Sequence, residues 1–223
     1  MTVTKRVSLG PYETKLLFSL ESREADLFDL RTVQGILGVL LREDYYVGFW
    51  TALNYWGMTE QIPRAVHVVI PGRRRAFRFQ GQPVRFVTLK RASIFGRIAQ
   101  PLERESFYVS DREKTLLDGL LFPEYSGGVS EVAKALPSAR REIRWTRLLA
   151  YERRLGVDAV GRRLGYLLEL LDLEPSVRRR LGRDHPGFRW LDPSAPKLRL
   201  GYSRHWGLIL NVEPSELREG GGI

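Results

Sequence analysis

The sequence predicts an α+β fold, with a mixed and mainly antiparallel sheet followed by a C-terminal helical part. Over residues 65–89, apolar and polar residues alternate with a period of two, which is typical of half-buried strands. Between residues 111 and 183, apolar residues recur every three or four positions instead, as they do on amphipathic helices. Since 43% of the 223 residues are hydrophobic, the chain can bury a sizeable core.

The N-terminal segment, residues 1–44, is predicted to contain two short helices, over residues 13–20 and 27–41. About six residues separate the end of the second helix, expected near Gly38, from the first strand at Tyr45. A winged helix-turn-helix domain needs a recognition helix and a β-hairpin wing at this point. We therefore interpret the segment as a truncated winged helix-turn-helix or as a packing arm that covers the larger domain.

The larger domain is predicted over residues 45–223. It has a strand-rich part, a helical part and a final strand region, at residues 45–110, 111–183 and 184–223. Strands at 65–70, 77–79 and 84–89 are expected to be antiparallel neighbours. Helices are expected over residues 129–136, 143–155 and 157–173. A single late strand is expected over residues 202–212.

The net charge of +10, from 36 basic and 26 acidic residues, is concentrated in two blocks. Residues 45–100 carry nine basic side chains against Glu60 alone, and residues 137–183 carry twelve against six. Clustered cations usually face nucleic acid or an acidic protein, because pairing with phosphates releases counterions. We therefore expect DNA, RNA or an acidic protein as partner, and solvated faces on a basic protein are the alternative.

Two groups of arginines are the candidate contacts. The first is expected at a hairpin connection after Ile70 and comprises Arg73, Arg74, Arg75 and Arg78. The second is expected on exposed helix faces, outside the apolar stripes, and comprises Arg140, Arg141, Arg144, Arg147, Arg153, Arg154, Arg162 and Arg163. Guanidinium groups pair well with phosphates and carboxylates, so both groups suit such partners. A solubilising turn and solvated helix faces are the alternatives.

The chain shows no sign of export or of membrane insertion. Met1 is not followed by the apolar core of a signal peptide, and the apolar runs are too short or too interrupted to span a bilayer. No cysteine is present, which excludes disulfides, thiolate metal sites and cysteine nucleophiles. A cytoplasmic protein without a membrane partner is the expectation.

The acidic residues and histidines do not form a recognisable catalytic set. Ser110 or Asp111 is expected to cap a helix. In that helix Glu113 and Asp118 lie about 140° apart, so the carboxylates do not converge on a metal. The histidines are scattered, at His67, His185 and His205. We expect no enzyme, cofactor or metal, and a metal-dependent nuclease that uses Glu113 and Asp118 is the enzymatic alternative.

Residues 45–70 follow the order strand, Gly48, helix, strand, which superficially matches a nucleotidyltransferase core. Those enzymes place a glycine-serine turn before the helix and two carboxylates on the next strand, where they hold magnesium for phosphoryl transfer. Here the nearby hydroxyl belongs to Thr51, and the strand reads Val-His-Val-Val from Val66. We therefore interpret the segment as the structural centre of a non-catalytic binding domain.

Four blocks of sequence, in this order, resemble the AbiEi-type abortive-infection antitoxins. The blocks are YYVGFWTALNYWGMTEQIPRAVHVVI (45–70), SDREKTLLDGLL (110–121), RRLGYLLELLDL (162–173) and WLDPSAPKLRLGYSRHWGLILNV (190–212). In the second block the family pattern of serine, acidic residue, basic residue, threonine, leucines and aspartate is kept by Ser110, Glu113, Lys114, Thr115, Leu116, Leu117 and Asp118. Members of this family are bacterial proteins of type IV toxin–antitoxin systems.

The resemblance implies two roles and no catalytic residue. One is repression of the protein's own promoter through the N-terminal region, with operator DNA as partner. The other is neutralisation, direct or indirect, of a nucleotidyltransferase toxin through the larger domain. A nucleic-acid-binding regulator without a toxin is the alternative from another functional class.

Overall fold

The computed structural model describes most of the chain beyond the first 29 residues. The described ranges are 30–41, 44–79, 81–102, 105–182 and 186–218. The helix predicted over residues 13–20, the beginning of the next helix, His185 and the glycine tail from residue 219 lie outside the described residues. Within the described ranges the fold is α+β, as predicted.

Nine strands and eight α-helices make up the described part of the chain. In chain order they are α1 (Leu30–Leu41), β1 (Tyr46–Val47), α2 (Phe49–Tyr55), β2 (Val66–Ile70), β3 (Phe77–Phe79), β4 (Gln82–Thr88), β5 (Arg97–Leu102), β6 (Glu105–Ser110), α3 (Arg112–Leu121), α4 (Val129–Ser138), α5 (Trp145–Leu155), α6 (Asp158–Leu170), α7 (Pro175–Leu181), β7 (Arg189–Trp190), β8 (Gly201–Ser203), β9 (Leu208–Leu210) and α8 (Pro214–Arg218). The helices predicted over residues 129–136, 143–155 and 157–173 are present as α4, α5 and α6.

Six strands form one mixed sheet in the order β3-β4-β2-β1-β6-β5. Three of its pairings are antiparallel and two are parallel, so the predicted mixed, mainly antiparallel sheet is confirmed. One detail was wrong: β2 and β4 run parallel, with Val66 opposite Val84 and Ile70 opposite Thr88. Alternation of apolar residues sets which face of a strand is buried but not the direction of its neighbour.

Both faces of the six-stranded sheet are covered near its centre. On one face Val47, Val68 and Val109 pack with Ile36 and Leu37 of α1. The approach of α1 is close, since a Cβ on Gly38 would lie 2.5 Å from the backbone oxygen of Ser106. The described part of the N-terminal segment is therefore a packing arm on β6.

The opposite face of the sheet packs towards α2 and the turn that follows α3. Tyr46, Val69 and Val87 are buried there together with Phe49, the first residue of α2. Tyr125, in a 3-10 turn after α3, places its ring 5.3 Å from that of Phe49. β1 and β2 are thus the central strands of the sheet, and Phe49 of α2 packs on the face that turns towards the helical part.

The helical part surrounds α3, which packs against α2, α4, α5 and α6. Leu116, Leu117 and Leu120 are buried there, each fully inaccessible to solvent. α5 ends at Gly156, whose φ of 65° is the left-handed conformation that a glycine adopts without steric cost. None of the helices in the described ranges is long and apolar enough to cross a membrane.

A second, three-stranded sheet has the order β7-β9-β8. The single strand predicted over residues 202–212 is instead an antiparallel hairpin of β8 and β9. The sheet is tied to α6 by Trp206, since a Cβ on Gly165 would lie 2.0 Å from its ring. The turn that splits the strand carries this indole into the helical core, which alternation along the sequence does not reveal.

Candidate functional site

Polar side chains of β1 and α3 form a buried network. The hydroxyl of Tyr46 donates to Asp118 at 2.8 Å and accepts from the ammonium of Lys114 at 3.0 Å. Lys114 also pairs with Asp118 one helical turn further on, and all three side chains are fully buried. Burial raises the pKa of the Asp118 carboxyl and of the Tyr46 phenol above their usual values. The network therefore connects β1 to α3, and each of its buried polar groups has a partner within the network.

The other two carboxylates of this block have separate partners. Asp111 caps α3 by accepting from the backbone N–H of Lys114 at 2.8 Å, and it also accepts from the hydroxyl of Tyr151 at 3.0 Å. Burial raises the pKa of Asp111. Glu113 accepts from the backbone N–H of Arg144 at 2.6 Å. Among the described residues, no group of three or more histidines or carboxylates is placed to hold a metal ion.

Arg162 and Arg163 do not lie on an exposed helix face, contrary to the sequence prediction. Arg162 is fully buried and donates to the carbonyls of Pro186, Gly187 and Gly207, at 3.0, 2.7 and 3.0 Å. Its Nε atom lies 2.5 Å from Asp158. These carbonyls come from segments distant in sequence, so the helical period of α6 could not reveal them. The two arginines are fixed inside the fold and cannot contribute to an exposed basic surface.

Arg163 also bonds to carbonyls of distant segments, on another side of α6. Its guanidinium donates to the carbonyl of Leu120 at 2.6 Å and to that of Trp190 at 3.2 and 3.3 Å. Burial lowers its pKa. One side chain thus connects α3, α6 and β7.

The first arginine group remains exposed, in the loop of residues 71–76 between β2 and β3. Arg73, Arg74 and Arg75 are all exposed, and Arg74 lies 5.7 Å from the centre of the Phe86 ring. This loop is not a hairpin connection, because β4 separates β2 from β3 in the sheet. In the described part of the chain none of the three arginines forms an ion pair, so their donors are available to a partner.

Arg78, the fourth member of that group, is exposed on β3. Its guanidinium donates to the carbonyl of Gly81 at 2.8 Å, within the β3–β4 turn. It therefore lies on the strand that directly follows the loop, and its guanidinium already has a local role.

The remaining arginines of the second group do not form one continuous ridge. Arg140, Arg141 and Arg144 lie in the connection before α5, whereas Arg153 and Arg154 lie in its last turn. Since α5 has 11 residues, the two sets are separated by about 16 Å.

Some members of this second group also have internal contacts. Arg140 pairs with Glu174 at 3.0 Å, and Arg147 lies 3.6 Å from Asp111. The guanidinium of Arg154 is 4.2 Å from the centre of the Phe95 ring. These contacts leave Arg141, Arg144 and Arg153 as the exposed members whose guanidinium groups have neither an ion pair nor a ring contact among the described residues.

His67 occupies the strand position where a nucleotidyltransferase would present a carboxylate. Its backbone N–H donates to the hydroxyl of Thr51 at 3.0 Å, which locks β2 to α2. The imidazole is buried beside Tyr125, and no described residue pairs with its Nδ1 atom. Burial, aided by Arg85, lowers the pKa of His67 to about 4. The ring is therefore neutral at physiological pH.

The four sequence blocks that suggested a family are physically joined to one another. Tyr46 of the first block bonds to Asp118 of the second, and Arg163 of the third bonds to the carbonyl of Leu120 in the second. The indole of Trp206, from the fourth block, donates to Glu169 of the third at 2.9 Å. The four blocks therefore contain residues whose hydrogen bonds connect distant segments of the fold.

Asp192, shortly after β7, connects another pair of distant segments. Asp192 is buried and accepts from the backbone N–H of Val129, at the start of α4, at 2.7 Å. It also accepts from the backbone N–H of Ser194 at 2.7 Å, and Asn211 donates to its carbonyl at 2.7 Å. The Asp-Pro-Ser sequence is an Asx-turn signal that could have indicated the local bonds but not the distant ones.

The fold is similar to that of a solved protein. The crystal structure of the RV2827C protein from Mycobacterium tuberculosis matches with a TM-score of 0.61 at 15% sequence identity, covering 87% of this chain and 71% of that chain. At this identity the likeness shows the fold alone. No family model matches the chain, and no curated protein matches it.

Proposed function

We propose that this protein is a non-catalytic antitoxin and transcriptional autorepressor of a type IV toxin–antitoxin system, acting in the cytoplasm against a nucleotidyltransferase toxin. The observation that carries the proposal is that hydrogen bonds between distant segments, two of them buried, join the four antitoxin-like blocks. The exposed arginines then supply the contacts.

The geometry of the α3 block favours this function over the nuclease alternative. A divalent-metal nuclease needs carboxylate oxygens that converge on one ion. Asp118 is fully buried against Lys114 and Tyr46, whereas Glu113 accepts from the backbone of Arg144. Both carboxylates already have internal partners, and these lie on different sides of α3.

The exposed loop of residues 71–76 is the contact surface we propose for operator DNA or RNA, or for an acidic face of the toxin. Its three consecutive arginines have no ion-pair partner among the described residues. Guanidinium groups bind phosphate and carboxylate oxygens in a bidentate manner, which suits either partner. The family resemblance implies a repressor role for the N-terminal segment, most of which lies outside the described residues.

Co-expression with a nucleotidyltransferase toxin of a type IV system tests the antitoxin role. Wild-type protein is expected to restore growth, and an Arg73→Ala, Arg74→Ala, Arg75→Ala triple variant is expected to restore it less well. An Arg153→Ala variant is the matched control, since that arginine is exposed on α5 without a described ion pair. Failure of the wild-type protein to restore growth would refute the antitoxin proposal.

Gel-shift measurements on the protein's own upstream DNA, at two salt concentrations, test the repressor role. We expect binding that prefers the upstream sequence over unrelated DNA at both concentrations. Weak binding without sequence preference, falling steeply with salt, would reduce the protein to a non-specific phosphate binder. That result combined with growth rescue would retain the antitoxin role alone.

A further inference from the structure

The outer face of the small sheet, defined by Phe188, Trp190, Leu200, Tyr202 and Ile209, carries an exposed group of large apolar side chains. Trp190 and Tyr202 flank Ile209 in the strand register, which places the three on one face. The ring of Phe188 lies 5.3 Å from that of Tyr202. Phe188, Leu200 and Tyr202 are 44%, 48% and 52% exposed, so this side of the sheet is open to solvent.

The opposite face of the same sheet is buried. Leu208 is fully inaccessible and belongs to the main hydrophobic cluster with Leu164 and Trp206. The exposed aromatic residues are therefore not an unfilled part of the core. They lie on the solvent side of a sheet whose other side already supplies its packing.

Positive charge surrounds the outer face. Residues 186–210 contain four basic side chains, at Arg189, Lys197, Arg199 and Arg204. The ammonium of Lys197 lies 5.2 Å from the centre of the Trp190 ring. The one acidic residue in this range, Asp192, is 2% exposed and accepts from backbone N–H groups. Within residues 186–210 the charged side chains other than buried Asp192 are therefore all basic.

We propose that the outer face binds single-stranded nucleic acid, RNA or DNA. Aromatic rings on an open sheet stack with unpaired bases, and the surrounding cations pair with the phosphates between those bases. Phe188 and Tyr202 meet edge to face, at an interplanar angle of 75°, so their contact covers one ring face and leaves others for bases. The cations favour a polyanion over an uncharged protein segment.

This site is distinct from the arginine loop of residues 71–76 and does not depend on the antitoxin proposal. Duplex DNA can meet the exposed arginines of the loop through its phosphates alone. Stacking on Phe188 and Tyr202 requires base faces that a duplex keeps inside. The two surfaces therefore select different states of a nucleic acid.

Fluorescence anisotropy with labelled oligonucleotides of about ten nucleotides tests the proposal. The probes are an oligouridylate RNA, an oligothymidylate DNA and a duplex of the same length. We expect a Phe188→Ala, Tyr202→Ala double variant to weaken binding of the single strands by about 5- to 150-fold, with a much smaller change for the duplex. An RNA or DNA preference of the wild-type protein identifies the natural strand, and either result supports the site.

Control variants separate stacking from folding and from charge. Ile62→Ala removes another exposed apolar side chain, which is 81% accessible and distant in sequence from the small sheet. It is expected to leave the affinities for the RNA, the single-stranded DNA and the duplex unchanged. Tyr202→Phe keeps the ring and is expected to retain binding, even if the double variant is less stable in a thermal melt. Arg199→Ala is expected to weaken the single strands modestly and to reduce the salt slope by about one.

Three outcomes would overturn the proposal. The first is equal single-strand affinity in the wild type and the double variant, and the second is an equal loss for the duplex. The third is a wild-type dimer in sedimentation that the double variant converts to monomer, which would assign the face to a second copy of the chain. Growth rescue and operator shifts by the double variant are expected to stay at wild-type level, so failure of the antitoxin proposal remains distinguishable.

Discussion

Arg162 and Arg163 on α6 and the arginines of the 71–76 loop are similar runs in the sequence, yet they lie in opposite environments. Arg162 is fully buried and bonds to three carbonyls, whereas Arg73, Arg74 and Arg75 are exposed. The difference arises because loop carbonyls from residues 186–207 meet α6 and need donors. A run of arginines can therefore connect segments inside the fold or face a partner outside it. Whether backbone carbonyls of other segments lie within reach determines which of the two occurs.

Among substitutions of buried and exposed charged residues, Asp118→Ala is expected to lower the free energy of unfolding most. The substitution leaves the ammonium of Lys114 fully buried without its carboxylate partner. Removing one member of a buried ion pair destabilises a fold by about 3–5 kcal/mol. Chemical denaturation would measure the loss. A Lys114→Met, Asp118→Leu double variant, in which no charge is left unpaired, is expected to recover much of it, and no recovery would contradict the buried-pair explanation.

Arg162→Ala is expected to have the next largest effect. It leaves the carbonyls of Pro186, Gly187 and Gly207 without their donor, at roughly 1 kcal/mol each, so the free energy of unfolding should fall by about 3 kcal/mol. Thermal melts of this variant and of Arg153→Ala provide the comparison. Arg153 is exposed, and its substitution is expected to change stability by less than about 0.5 kcal/mol. Equal losses of stability in the two variants would contradict the division into buried structural arginines and exposed contact arginines.

His67 extends the contrast to pH. Its pKa of about 4 in the folded protein lies below the ordinary value of 6.5, so the unfolded chain binds the proton first as the pH falls. The contribution to stability is complete above pH 6.5, declines between pH 6.5 and about 4, and is lost below that window, by up to about 3 kcal/mol.

A His67→Phe variant keeps a ring beside Tyr125 and removes this titration. The difference in unfolding free energy between the wild type and this variant, measured from pH 7 to about pH 4, should therefore change in that window. A difference that stays constant with pH would show that His67 is protonated in the folded protein as readily as in the unfolded chain.

The smallest effect on stability is expected from the Arg73→Ala, Arg74→Ala, Arg75→Ala triple variant. These exposed side chains make no described ion pair, so each substitution should change stability by less than about 0.5 kcal/mol. Binding to duplex DNA should weaken, with the salt slope falling by about 0.9 for every phosphate that the variant no longer neutralises. An unchanged slope together with unchanged stability would remove this loop from the binding surface.

The elements of the fold could largely be predicted from local patterns. The helix capped by Asp111 has its signal within four residues, and the cap is found with Lys114 as donor. The strand–Gly48–helix–strand unit is likewise present as β1, α2 and β2. Such features depend on interactions between residues close in the chain, which is where periodicity and capping carry information.

Predictions failed where distant segments meet. The parallel pairing of β2 with β4 and the burial of Arg162 both depend on the position of other elements. The outer face of the small sheet was missed because the sequence suggested one late strand in place of a hairpin. A ring at Tyr202 reads as core in an alternating pattern, and only the pairing with β9 shows that it faces solvent.

The sequence by itself determined the fold class, the order of most elements and the excess of positive charge, since these follow from composition and from the periods of helices and strands. The tertiary structure decided which charged side chains are inside and which are available to a partner. Burial and hydrogen bonding are set by neighbours that come from distant parts of the chain: Arg162 meets Gly207, and Lys114 meets Tyr46. These contacts distinguish the charged residues that hold the fold together from those on its candidate binding surfaces.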